Sequence, residues 1–405
     1  YSRMDSSCCL SPVRPDKSIV SRFLKRREPR HFFVSHIATC PIVVALIVLS
    51  HMISVTRLNL GDNVGKIFVK WPGVAKVSIL VTMLAAVCIS ASPVLAQSQK
   101  FSDWVEGVRK DATARGVDKA IFDTAFKGVK PIPRIIELDR KQPEFTLTFK
   151  QYLSRVGSTV RIKKGRKKLA ENREALEKVG KKFGVQPRFI VALWGVETDF
   201  GRISGGFNVI SALATLAYDG RRSKYFRGEL LNALEILDQG HIKAKDMTGS
   251  WAGAMGQSQF MPSSFKAYAI DADGDGRRDL WGTKADVFAS AANYLSSVGW
   301  NDSQTWGRKV KLPEGFDLSL ANKGSRAKDS QAMRLSEWQK RGVRRADGGD
   351  LPKRDLKASL VLPAKGKASP AYLVYGNYRS ILHWNRSTYF ALTVGYLADR
   401  IGGIN

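Results

Sequence analysis

The stretch RFIVALWGVETDFGR, residues 188–202, carries an unbroken apolar run. Helical spacing puts Ile190, Leu193 and Trp194 on one face, with Glu197 next in the same stripe. A helix of this kind belongs inside a helical body, and it takes a carboxyl group in with it. Gly201 is the expected stop, so Glu197 falls in the last turn, where the negative end of the helix dipole disfavours an anion. Burial beside Trp194 acts in the same direction, and both effects raise the pKa. A carboxylic acid kept protonated near neutral pH is a general acid. The competing expectation is a structural glutamate paired with Arg202, Arg221 or Arg222. Asp199, two residues on, points to a different side and is expected to cap the helix or edge the core.

The rest of the chain limits where such a helix can work. All four cysteines lie in the first ninety residues, so a chain starting near residue 97 contains none, which fits an oxidising compartment entered without disulfides. Residues 76–96 read as a signal peptide: Lys70 and Lys76 supply a basic flank, Val77–Ser90 is apolar but short for a bilayer, and VLA precedes Gln97. Cleavage is expected after Ala96, giving a periplasmic protein with no lasting membrane contact. Residues 1–75 are expected to be an upstream extension with the true start nearer Met52 or Val64, although Ile37–Val55 alone is long enough to span a bilayer.

Residues 97–405 hold 53 Lys+Arg against 32 Asp+Glu, a net charge of +21, which implies a polyanionic partner. RIKKGRKK, 161–168, would suit nucleic acid, but no nucleic-acid-binding signature accompanies it, and an exported protein meets the cell wall first. A solvated helix face explains the run equally well. The expected fold class is mainly α (α+β). A helical leading domain spans 97–185, a helical core 186–308, a small β-containing insert 309–369 with alternating pieces such as KASLVLP, and a segment 370–405 returns to the core and stops at Gly402 and Gly403. A monomer is expected.

Two further stretches carry chemistry. In GSWAGAMGQSQFMPSSF, 249–265, Gly253, Ala254 and Gly256 allow close backbone approach, Pro262 starts a helix, and Gln257, Ser258 and Gln259 are suited to sugar hydroxyls or acetamides. In DADGDGRRD, 271–279, Asp271, Asp273 and Asp275 occupy positions 1, 3 and 5 of a calcium loop, Gly276 the turn and the Arg277 carbonyl position 7. Position 12 is Gly282, so Asp286 is the carboxylate expected to close the site, and affinity should be modest. An Asp-Gly turn without metal is the alternative.

Taken together, WGVETDFGR, ALATLAYDGRRSKYFRGEL, GSWAGAMGQSQFMPSSFKAY, DADGDGRRDLW and HWNRSTYFAL closely resemble the lytic murein transglycosylase B family over roughly residues 100–403. The resemblance implies a lysozyme-like helical core with an EF-hand-like loop and no catalytic cofactor. It also implies cleavage of the β-1,4 bond between N-acetylmuramic acid and N-acetylglucosamine in peptidoglycan strands, giving a 1,6-anhydro product. By analogy Glu197 matches the single catalytic glutamate, Ser250 and Gln259 hold substrate near the scissile bond, and Arg221, Arg222 and Asn385 fall on further cleft positions. Trp384 and Phe390 depart from the family, which often has tyrosine there, so a cleft hydroxyl is missing. A hydrolytic muramidase or a non-catalytic wall-binding scaffold are the other expectations.

Overall fold

The computed structural model describes residues 100–141, 147–322, 332–364 and 369–404. The extension, the signal peptide and its cleavage point lie outside the described residues. No helix among the described residues is long and apolar enough to cross a membrane.

Seven helices come first among the described residues: α1 Phe101–Ala114, α2 Lys119–Phe126, α3 Pro133–Lys141, α4 Phe149–Val156, α5 Thr159–Glu171, α6 Arg173–Phe183 and α7 Pro187–Thr198. Their ends follow local chemistry. The Asp118 carboxylate caps α2 by accepting from Ala120 N, Thr148 and Gln151 form a reciprocal capping box on α4, and Gly184 closes α6 in the left-handed conformation before Pro187 opens α7. The stretch 97–185, expected as one leading domain, divides its apolar faces between two clusters. Helices α1–α3 bury Trp104, Val108, Phe122 and Ile135 in one, and α4–α6 bury Phe149, Ile162 and Leu176 in another, around α7. In α5 only Ile162 and Gly165 of the basic run are buried; Lys163, Lys164, Arg166 and Lys167 face outward.

The chain continues through β1 Phe207–Asn208, α8 Val209–Tyr218, α9 Ser223–Asp238, β2 Thr248–Gly249, α10 Pro262–Tyr268 and α11 Lys284–Ser297. Helices α8 and α9 complete the α1–α3 cluster, and α11 contributes Val287 and Phe288 to the cluster around α7. Every residue from Phe189 to Gly195 is buried, so α7 is apolar all round rather than along one stripe, and it is the central helix.

Then follow β3 Gly307–Lys311, β4 Ala321–Asn322, β5 Met333–Arg334, α12 Leu335–Lys340, β6 Arg344–Arg345, β7 Lys357–Val361, β8 Ala371–Val374, α13 Gly376–Trp384 and α14 Thr388–Ile401. The sheet order is β4-β7-β8-β3-β6, antiparallel except for β4 with β7, while β5 also pairs with β7. Strand β8 is buried on both faces, and period-two alternation explains where each side goes. Tyr372 and Val374 join the helical cluster, whereas Ala371 and Leu373 join a separate cluster around Trp338. The strands therefore reach a few residues beyond 309–369 on both sides, because β8 has to feed α13 back into the core.

Candidate active site

Glu197 stands one residue from the end of α7, which finishes earlier than Gly201: Asp199, Phe200 and Gly201 all take positive φ. Left-handed backbone costs a non-glycine residue roughly 1–2 kcal/mol, and local bonds offset it here. Thr198 Oγ1 accepts from Gly201 N at 3.1 Å and donates to the Gln257 carbonyl at 2.9 Å, and the Phe200 ring packs edge-on against Trp194. The Asp199 carboxylate meets Lys164 at 3.0 Å and Arg202 at 2.7 Å. Burial works to raise Asp199, but these hydrogen bonds outweigh it and hold the group below the usual carboxylate range. An aspartate engaged in this way is no proton donor and no free nucleophile.

The Glu197 carboxyl has none of that company. It lines a small, partly open cavity with Ile190, Leu193 and Trp194 of its own helix, Val287, Phe288 and Ala291 of α11, Ser258 and Trp384. Arg202 goes to Asp199, while Arg221 and Arg222 both go to Asp139, so none of the arginines suggested by the sequence neutralises Glu197. Its polar partner is the Trp384 indole, whose Nε1 donates to Oε1 at 2.7 Å. Burial pushes Glu197 up to about 7, and the indole bond opposes this only in part. Part of the residue still reaches solvent, as a donor to an external oxygen requires.

Trp384 is the site residue that sequence reading misjudges. It registers there as the absence of a tyrosine hydroxyl, but in the structure it supplies a donor. It ends α13 and is wedged against Phe260 and Tyr294, with ring centroids 5.1 and 4.8 Å away. The Tyr294 hydroxyl donates to the His383 carbonyl at 2.8 Å, which fixes the end of α13. Asn385 follows, exposed, with its Oδ1 accepting from Ser387 N at 3.0 Å.

The turn after β2 forms the wall. Ser250 N donates to the Ala254 carbonyl and Ser250 Oγ accepts from Ala254 N, which leaves the hydroxyl proton free to donate outward. The three polar residues expected to meet sugars divide. Gln257 is held at both ends within the protein, its Oε1 accepting from Trp194 Nε1 at 2.9 Å and its Nε2 donating to the Trp281 carbonyl at 2.8 Å. Gln259 takes positive φ and donates through Nε2 to the carbonyls of Ser204 and Gly256, leaving Oε1 available. Ser258 is buried.

Asp139, only 2% exposed, receives Arg221 at 3.0 Å and Arg222, while both arginine side chains stay about half exposed. This carboxylate from α3 has no sequence signal beyond its place before a basic pair, and it fixes both guanidinium groups at the base of α9.

In the 271–279 loop, carboxylate oxygens of Asp271, Asp273 and Asp286 lie within 4.8 Å of one another. Asp275, expected as the third ligand, is drawn instead to the neighbouring positive charge of the Arg277 guanidinium at 2.9 Å and also accepts from Arg277 N. Asp286 is fully buried, and its oxygens accept from Ala272 N and Asp279 N at 2.7 Å each. Its own burial, with Asp273 and Asp271 adding like charge, holds it above the usual range against those two amides. Three carboxylate oxygens drawn together, one of them buried, fit a calcium ion in charge and donor type. The loop is tied to the wall, since Gln257 N donates to the Leu280 carbonyl and Trp281 Nε1 to the Thr248 carbonyl, both at 2.7 Å.

The sequence model of the family described as the transglycosylase SLT domain matches residues 100–399. The chain belongs to that family. This SLT-domain chain is 33% identical to the membrane-bound lytic murein transglycosylase B of Escherichia coli K12 over 238 residues, 56% of this chain and 60% of that protein. It thus spans less than two thirds of that relative's length. Its structure matches SltB3 from Pseudomonas aeruginosa in complex with NAG-NAM-pentapeptide, with a TM-score of 0.72 at 46% identity over 75% of this chain and 80% of that one. The SltB3 complex with NAG-anhNAM-pentapeptide gives 0.71 at 45% over the same shares. The Escherichia coli lytic transglycosylase Slt35 in complex with calcium matches at 0.63 and 26% identity, over 77% of this chain and 98% of that one. The lysozyme-like, mainly helical fold class read from the sequence stands.

Proposed function

We propose that this SLT-domain chain is a periplasmic lytic transglycosylase that cleaves the β-1,4 bond between N-acetylmuramic acid and N-acetylglucosamine in peptidoglycan. The observation that carries the reading is a single carboxyl, Glu197, pushed up to about 7 by burial in an apolar cavity that no other carboxylate lines among the described residues. Protonated, Glu197 donates to the leaving glycosidic oxygen while the substrate's acetamide supports the developing positive charge. The resulting carboxylate keeps the Trp384 bond and then takes the proton of the muramic 6-hydroxyl, whose oxygen closes on C1. No water enters, and the glutamate ends as it began. The Ser250 hydroxyl and Gln259 Oε1 keep free hydrogen-bonding capacity and are proposed to hold the substrate near the scissile bond, and Arg221, Arg222 and Asn385 are proposed to receive the flanking sugar and lactyl groups. SltB3, the relative solved with NAG-NAM- and NAG-anhNAM-pentapeptide, supports this substrate class. The VLAQ junction and the net charge of residues 97–405 support export to a polyanionic wall, with the enzyme acting as a monomer.

Purified sacculi test the reading. Soluble muropeptides should appear, each lighter by one water than the product of a hydrolase. A hydrated product would assign a muramidase, and no release would assign a binding scaffold.

We further propose that Asp271, Asp273 and Asp286 hold a structural calcium, with the Arg277 carbonyl as a fourth ligand and Asp275 in an outer position. The site supplies no step of the reaction; it fixes the 280–281 segment and, through Gln257, the wall beside Glu197. With Gly282 in place of a bidentate glutamate, affinity should be on the order of 10⁻⁴–10⁻³ M. Calcium at tenfold its dissociation constant then adds about 1.4 kcal/mol, a melting shift of a few degrees. Wild type should show that shift and Asp271→Asn should not; an equal shift in both proteins would rule the site out.

A further inference from the structure

Ser258 is the member of the Gln257–Gln259 trio whose side chain has no hydrogen bond. It is 3% exposed, and its Oγ is buried without a partner. A buried hydroxyl left unpaired is costly, and each such group calls for a reason. Its position supplies one, because Ser258 lines the same small cavity as the Glu197 carboxyl, whose other walls are aliphatic or aromatic. That space has room for about one water, and two polar groups facing it give such a water partners. The Trp384 indole occupies Oε1 of Glu197 and leaves the second carboxyl oxygen without a protein donor.

We propose that Ser258 is a positioning residue for Glu197, its hydroxyl linked through one water in this cavity to the carboxyl oxygen that Trp384 leaves free. The link holds both oxygens in place between the two halves of the reaction. In the first half the free oxygen carries the proton. After transfer the group is an anion, and a donor chain ending on it is strengthened by the charge. The link therefore favours the ionised form and opposes burial, as the indole does. No other titratable group intervenes. Apart from Ser258, the elements packed around Glu197 present only apolar and indole side chains there, and Asp199 is turned to Lys164 and Arg202.

This inference rests on the transglycosylase reading for its consequence in turnover, but its central test needs no substrate. The Trp384 indole N–H resonance, assigned with Trp384→Phe, follows the ionisation of Glu197 in a pH titration by NMR. Ser258→Ala should raise the midpoint by about half a pH unit to one unit, because a donor to the charged form is lost. On muropeptide substrate kcat should fall about threefold to tenfold with KM unchanged, the pattern of a lost transition-state interaction. Ser258→Thr, which keeps the hydroxyl, should restore the midpoint. A midpoint unmoved in Ser258→Ala, together with a higher melting temperature, would overturn the proposal, since relieving an idle buried hydroxyl stabilises the fold without touching Glu197. Absence of turnover in wild type would refute the proposed function while leaving the titration readable.

Discussion

Glu197→Gln should abolish turnover of sacculi while leaving the fold and wall binding intact. The amide fills the same space, and its carbonyl oxygen can still accept from Trp384 Nε1, but it can neither give a proton to the glycosidic oxygen nor take one from the 6-hydroxyl. Loss of a positioned general acid costs about 10²–10⁴ in rate, and here one group serves both steps. Wild-type activity should hold below about 7 and decline above it as the acid ionises. Stability gives a second readout. The folded-state pKa lies near 7 against an ordinary value of 4.5, so burial favours the protonated form. The contribution is complete below the lower value and is lost as pH rises through the upper one, where the fold must hold a charge in an apolar cavity. Measured against Glu197→Gln, wild type should lose up to about 3 kcal/mol between acid and alkaline pH. Clearance of sacculi by the variant at near wild-type rate, or a stability difference flat with pH, contradicts the assignment.

Why Glu197 can be found from sequence, and Trp384 not, is a matter of range. The carboxyl interrupts an apolar helical run, and that signal sits within ten residues. The indole reaches it across 187 residues of chain, at the end of a helix whose own periodicity only shows it to be amphipathic. The same limit explains the division of 97–185. An apolar face on α1 or α5 says that something must cover it, but not whether α9 or α14 does so. The calcium loop is legible as a loop because Asp271, Gly276 and their spacing are local. Asp286 is expected from the sequence as the closing carboxylate, and its oxygens lie with those of Asp271 and Asp273, whereas the pairing of Asp275 with Arg277 is not legible there. Gln257 suits sugars on chemical type alone. Its partners, Trp194 and Trp281, come from two other segments and engage both its amide oxygen and its amide nitrogen.

The β1–β2 ladder that carries Ser250 should tolerate no side chain at residue 205 and should accept one at residue 206. Gly205 has φ +103°, and a Cβ there would lie 2.0 Å from the Gly249 carbonyl oxygen and 2.7 Å from Ser250 N. Both are backbone atoms, so no rotamer change relieves the clash. The ladder Phe207–Gly249 and Asn208–Thr248 would have to part, and the adjacent Ser204 carbonyl, which receives Gln259 Nε2, would move with it. Backbone strain of roughly 1–3 kcal/mol combines with an overpacking cost of about 1–3 kcal/mol. Gly205→Ala should therefore destabilise the protein by about 3 kcal/mol or more and, below its melting point, lower kcat, because Ser250 and Gln259 lose their setting. At Gly206 nothing lies within 4 Å of the place a methyl group would take and φ is not positive, so Gly206→Ala should stay within about ±0.5 kcal/mol of wild type. Chemical denaturation of the pair, with turnover measured on the same samples, separates the two residues; equal stabilities would show that the turn yields where the backbone contacts say it cannot.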